Sequence, residues 1–237
     1  MILSLRERSR WFFAEFVVII VGVLVALAID EWRGTLQDEE REQEYLTQLA
    51  ADLRATEEMF VAAAELNAPW QNAARQLVGL FEQRGPADIE TVRRLLADAR
   101  QFNNPVPVLG TAEALVSTGD LRLIRDPRIR SEITRYLSRS RDFWLFPIYQ
   151  LEEQHRNVYM NIAVLAQRYG LSPAYREGPA AGPGRPDLNG FLADPEAYVY
   201  VARYAELKES VAGVRDAMSN EAAALRSLLI ANSEKSP

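Results

Sequence analysis

A chain of 237 residues, 48% hydrophobic and 25% charged, suits one anchored domain and is too apolar for global disorder. The first 33 residues balance four arginines against four acids, so the rest carries the whole net charge of −6; such an acidic body lacks the basic face that phosphate contacts need, which argues against nucleic acid. With no cysteine and one histidine, His155, disulfides, thiolate metal sites and thiol nucleophiles are excluded, and little remains for a catalytic triad.

The first element is apolar. Trp11-Phe12-Phe13-Ala14-Glu15 leads into an uncharged run over residues 16–29. A helix over 11–29 would be about 28 Å long, against a hydrocarbon core of roughly 30 Å. Trp11 and Trp32 stand at its ends, where indoles favour the bilayer interface. Arg6, Arg8 and Arg10 precede it, and Asp30, Glu31, Asp38, Glu39 and Glu40 follow. This asymmetry keeps residues 1–10 in the cytoplasm and sends residues 30–231 across a bacterial inner membrane, into the periplasm of a Gram-negative cell. About ten residues precede the span, so no cytoplasmic output domain is expected, and a signal would pass through the anchor or stay outside. The alternative is a signal peptide cleaved after Ala26-Leu27-Ala28; the length of the apolar run and the lack of a helix breaker before the cut favour the anchor. Glu15 would lie about 6 Å inside the apolar boundary, which makes it either a functional intramembrane carboxylate or a group that reaches the headgroups. Gly22 and Ala26 form a small-xxx-small pair that would let two such helices approach as a homo-oligomer.

Beyond the span, Leu46, Leu49, Leu53, Thr56, Phe60 and Ala63 alternate steps of three and four, the spacing of one buried seam. A long charged helix therefore leaves the membrane directly. Pro69-Trp70 starts a second helix with Trp70, Ala74, Leu77 and Phe81 on one face, ended by Arg84-Gly85-Pro86. Asp88 caps a third, with Val92, Leu95, Leu96, Ala99 and Phe102 at helical spacing. After the loop Asn103-Asn104-Pro105-Val106-Pro107, Gly110-Thr111 opens a short helix through Val116. Asp126-Pro127 reads as cap plus first-turn proline for a long helix, its seam running through Ile133, Leu137, Ser140, Trp144, Leu151, His155, Val158, Ile162, Leu165 and Tyr169, with a kink at Pro147. Residues 172–195 are a Pro/Gly-rich loop without packing of its own. Asp194-Pro195 repeats the cap signal, and the last helix runs to about Ile230 with Tyr200, Tyr204, Leu207, Val211, Val214, Met218, Leu225 and Leu228 in register and Glu221 as the interruption. The tail, residues 232–237, is polar. With no period-two stretch, the expectation is all-α: one transmembrane helix, then an up-and-down bundle of long helices.

Glu15, Gly22, Asp30 and Trp32 come in one order with Tyr45-Leu46, Leu49, Asp52-Leu53, the run Ala114-Leu115-Val116-Ser117-Thr118-Gly119-Asp120-Leu121-Arg122-Leu123-Ile124, then Arg130 and Tyr136. This order resembles an uncharacterised family of bacterial single-pass membrane proteins, a domain of unknown function, over about two-thirds of the chain. The resemblance implies an N-terminal anchor and a helical extracytoplasmic domain, and no activity. The acidic Asp30-Glu31 pair stands where the family would carry amides, and residues 172–195 have no counterpart in it.

Three features bear on chemistry. Phe143, Trp144, Tyr149 and His155 form a candidate ligand pocket at the kink around Pro147, or else ordinary core. Glu152-x-x-His155 has the i, i+3 spacing of carboxylate-bridged metal bundles, but one histidine rules out the symmetric site. Arg122, Arg125, Arg128, Arg130 and Arg135 could hold an anion at the helix start after Pro127, or line a solvated face. The sequence thus points to a non-catalytic, membrane-tethered scaffold or partner-binding module without cofactor. Its partners would be the bilayer, an unknown protein and a second copy of itself. A small-ligand sensor is the alternative, and a carboxylate-metal enzyme around Glu152 and His155 comes last.

Overall fold

The computed structural model describes residues 5–83, 87–171 and 186–233, with side chains omitted at 5–15, 17, 18 and 143. The described residues are helical, without strands. Helix α1 (Leu5–Gln83) is followed by α2 (Ile89–Arg100), α3 (Gly110–Ser117), a 3-10 turn (Asp120–Leu123) and α4 (Pro127–Arg139). A π turn (Ser140–Leu145) leads into α5 (Phe146–Arg168), then α6 (Leu188–Ala193) and α7 (Pro195–Ser233).

Cross-helix pairs fix the topology. Glu57 pairs with Arg226 at 2.6 Å, Arg75 with Glu209 at 2.8 Å, and the Tyr198 hydroxyl donates to Glu82 at 3.1 Å. Positions rise along α1 as they fall along α7, so these two long helices are antiparallel. Arg139–Glu221 at 2.6 Å and Arg168–Glu196 at 3.7 Å set α4 and α5 antiparallel to α7 in the same way. The descending limb between α1 and α4 is composite: α2, the extended segment 101–109, α3 and the 3-10 turn. The result is the expected up-and-down bundle, with α1 entering at one end, the base, where α7 also finishes.

Helix α1 differs from the sequence expectation. Pro69 does not start a new helix but sits inside α1. An interior proline removes one hydrogen bond and costs about 3 kcal/mol. Here Ala63 and Asn67 before it, and Ala73, Ala74, Leu77 and Phe81 after it, are all buried along one continuous stripe. Packing on both sides outweighs the local penalty, and Pro69 itself faces solvent.

Pro147 disturbs the chain one turn earlier than expected. Its ring crowds the preceding turn, and the backbone widens at Ser140–Leu145, where the Phe146 N–H reaches back five residues to Arg141 O. Within 172–195, the helix Leu188–Ala193 corrects the expectation of a loop without packing: Phe191 is buried against Phe81, ring centroids 5.2 Å apart, because Asp187 caps the Gly190 N–H and starts a turn. Residues 172–185, 84–86 and 234–237 lie outside the described residues. Asp88 and Asp126 cap their helices as read, accepting from Thr91 N and Arg128 N.

Two hydrophobic clusters stack along the bundle. The basal one joins Leu49, Leu53 and Phe60 of α1 to Leu115, Ile129, Ile133, Trp144 and the far half of α7. The upper one joins Ala74, Leu77 and Phe81 to α2, the second half of α5, Phe191 and the first half of α7.

Helix α1 continues past the base. From Phe16 to Leu36 its described side chains are exposed, including Phe16, Ile19, Ile20, Val21, Val23, Leu24, Val25, Leu27 and Ile29. Among the described residues no helix is long and apolar enough to cross a membrane. The uncharged run 16–29 alone is about 21 Å long, short of the roughly 30 Å hydrocarbon core. The side chains of 17 and 18, inside that run, and of 11–15, before it, lie outside the described residues, Glu15 among them.

Candidate functional site

Between the two clusters lies a polar layer, and the candidate site is built there. Asn67 comes from α1, Asn103 and Asn104 from the extended segment, Glu152 and His155 from α5, and Lys208 and Arg215 from α7. The extended segment is held by a two-way clamp: Asn67 Nδ2 donates to Asn103 O at 2.7 Å, and Asn103 N donates to Asn67 Oδ1 at 3.0 Å. An amide side chain is the group that can both give and accept at one backbone residue.

His155 is 2% exposed, with Phe102 and Tyr204 rings at 6.0 and 5.4 Å. Burial, reinforced by the positive charge of Lys208 and opposed by the Leu207 carbonyl, lowers its pKa from 6.5 to about 4. The imidazole is therefore neutral at pH 7. Lys208 is 4% exposed; its Nζ donates to Gln101 O at 2.6 Å and lies 5.3 Å from the centre of the Tyr204 ring. Burial lowers its pKa to about 8. Arg215 is 3% exposed, and its closest carboxylate, the solvent-facing Asp216, is 3.9 Å from Nε. Two buried cations thus sit in one layer without, among the described residues, a close buried carboxylate on either. Asn104 Nδ2 donates to Glu152 Oε1 at 3.0 Å.

The residues singled out at the kink do not converge. Trp144 is fully buried, edge-on to Phe60 at 5.0 Å, and its indole N–H donates to Pro105 O at 3.0 Å. Tyr149 is 75% exposed and Phe146 also faces solvent, so the aromatic run divides between core and surface. The side chain of Phe143 lies outside the described residues. Of the three whose side chains are described, His155 alone enters the polar layer. Gly22 and Ala26 are exposed on the projecting part of α1. Glu152 and His155 gain no further ligand: among the described residues no group of three or more His, Asp or Glu side chains could hold a metal ion.

The arginine patch is occupied by the protein's own acids. Arg125 pairs with Glu39 at 2.7 Å, and its backbone N–H donates to Glu42 at 2.6 Å. Arg135 pairs with Glu132, and Arg130 Nη1 donates to the carbonyls of Ile124 and Arg125. The Arg128 amide at the start of α4 is taken by Asp126. An anion there would have to displace a carboxylate.

No family model matches the chain, and no curated protein and no solved structure matches it.

Residues behind the family resemblance prove to be fastenings of the composite limb. The Tyr45 hydroxyl donates to Asp120 at 2.8 Å, next to Gly119, whose φ of +79° makes the turn. Asp52 Oδ2 accepts from both the N–H and the hydroxyl of Thr111, capping α3 from a different helix. Thr56 accepts from Val108 N at 2.9 Å.

Lys208 and Arg215 were missed by sequence reasoning. They stand one residue after Leu207 and Val214, the apolar neighbours that the heptad seam favours. Tyr204, Lys208, Val211, Arg215, Met218, Ala222, Leu225 and Leu229 are an equally regular series, and every member of it is buried. Two cations spaced seven apart inside a heptad pattern were the available signal.

Proposed function

We propose that this protein is a membrane-anchored helical module, tethered by the N-terminal part of α1 and acting outside the cytoplasm as a non-catalytic scaffold or partner-binding unit. One observation carries the reading: α1 runs unbroken from Leu5 to Gln83, and its described apolar side chains between Phe16 and Ile29 project beyond the bundle, exposed on every side of the helix. An exposed apolar band of this size is a membrane or interaction surface by physical expectation. A helix apolar all round suits lipid better than a partner's groove, which needs one face. Counting residues 11–15 with it brings the segment to about 28 Å, close to bilayer thickness. The arginines at 6, 8 and 10 and the acids at 30, 31 and 38–40 orient the bundle outward. The unbroken helix also favours retention over cleavage after Ala28. The resemblance to single-pass proteins agrees with the same arrangement.

The non-catalytic part rests on His155. The chain's only imidazole is buried and neutral, while Glu152, Asp52 and Asp120 are engaged in holding the fold. From Ile29 to the first basal ion pair at Glu39 is about 15 Å of helix, so the bundle would stand off the membrane on a short rigid stalk.

The test is fractionation of the full chain with a tag at Pro237, followed by alkaline extraction and protease treatment of intact spheroplasts. Membrane retention after alkali and proteolysis of the tag from outside are expected. A soluble product with its N-terminus intact, or a tag shielded in the cytosol, refutes the reading.

A further inference from the structure

A small cavity of about 10 Å³ opens inside the polar layer, lined by Asn67, Gln71, Phe102, Asn104, His155, Lys208, Val211 and Arg215. Among the protein's own atoms, Asn104 Oδ1, Arg215 Nε and both nitrogens of His155 are buried without a hydrogen-bond partner of ordinary geometry. These unpaired groups belong to three separate limbs, all lining one space. Each would be costly to leave unsatisfied.

We propose that this cavity is a binding site for one water molecule, which accepts from Arg215 Nε–H and donates to Asn104 Oδ1 and to one nitrogen of His155. The chemistry of the lining selects the ligand. Asn104 has its orientation fixed, because Nδ2 donates to Glu152, so Oδ1 presents an acceptor. Arg215 Nε can only donate. A neutral imidazole carries its hydrogen on one nitrogen and presents a lone pair on the other; the Leu207 carbonyl beside the ring favours the hydrogen on its own side. One donor and two acceptors then face the cavity. A water molecule supplies one accepting lone pair and two O–H groups, three bonds in all, the usual number for a buried water. A chloride ion only accepts, and it would meet the Asn104 oxygen and the imidazole lone pair. A metal cation would meet Arg215 and Lys208. The volume agrees, since roughly 10–15 Å³ is what a single water requires. The water joins α5, α7 and the segment 101–109 through hydrogen bonds, beside the ring contacts that His155 makes with Phe102 and Tyr204.

The test is crystallography of the full chain in detergent at about 1.5 Å, with a parallel crystal soaked in bromide. A density peak within about 3.2 Å of Asn104 Oδ1, Arg215 Nε and one His155 nitrogen, without bromide anomalous signal, is the expected result. An anomalous peak there would make the site an anion site and overturn the assignment. Absence of any peak would do the same. In solution, dipolar transfer from a long-lived water to the His155 ring protons should be present in the wild type and lost in Asn104→Leu. Its persistence in that variant would overturn the bridge through Asn104.

Discussion

Replacing His155 by Gln and following stability against pH probes the polar layer most directly. In the folded chain burial and the Lys208 cation hold the imidazole pKa at about 4, whereas in the unfolded chain it returns to 6.5. Folded His155 therefore refuses a proton over a window where unfolded His155 takes one. Between pH 6.5 and 4 the unfolded state binds more protons, so stability falls as pH falls. The separation of the two values corresponds to about 3 kcal/mol, accumulated over that window and constant below it. Above pH 6.5 both states are neutral and nothing is lost. Asp88, held below the ordinary carboxylate range by its hydrogen bonds to Thr91, and Asp120, held there by Tyr45, also lose stability in acid. They do so in both proteins and cancel in the difference. The assay is urea unfolding of the full chain in detergent, followed by helical circular dichroism at several pH values from 7.5 to 4, for wild type and His155→Gln. The wild-type curve should fall about 3 kcal/mol further than the variant's across the window. Parallel curves would show that His155 titrates normally and that the layer is open to water.

Other expectations follow from the same structure. Lys208→Met should abolish a rise in stability of about 2 to 3 kcal/mol that the wild type shows between pH 8 and 10, where folded Lys208 sheds its proton and unfolded Lys208 keeps it; a wild-type profile flat in that range contradicts the burial. Pro69→Ala should raise the unfolding free energy, by up to about 3 kcal/mol less the entropy that proline removes from the unfolded chain. No gain in equilibrium melts would mean that α1 breaks there. Asp52→Ala should cost about 1 to 2 kcal/mol, and the loss should shrink when Thr111 is already Val, as a double-mutant cycle would measure. Gly119→Val should destabilise by on the order of 1 kcal/mol or more through its φ of +79°, while Gly119→Asn should be milder, as thermal melts of the pair would show.

The sequence by itself determined the helical class, the seams and the caps. Leu46 to Ala63 on α1 and Ile133 to Leu165 on the α4–α5 rod were readable because a helix that buries one stripe must repeat its apolar residues every three or four positions. Asp88, Asp126 and Asp194 were readable because a cap is satisfied within three residues of chain. What depended on distant partners was not readable. Pro69 looks like a start signal locally, and only the stripe continuing beneath it on α2 and α7 makes it an interior residue. Pro147 foretold a disturbance, while the division of its aromatic neighbours between core and solvent followed from the extra residue in the turn before it. Lys208 and Arg215 were passed over because charge at a seam position counts against burial until a layer of amides and carbonyls is folded around it. Asp52 and Tyr45 stood out in the sequence only through the family resemblance, and Asn67 not at all; their work as clamps on Thr111, Asp120 and Asn103 exists only once residues 36 to 75 apart in the chain meet. Periodicity and capping are short-range and leave marks in the chain, whereas the satisfaction of buried polar groups is long-range and is decided when the limbs pack.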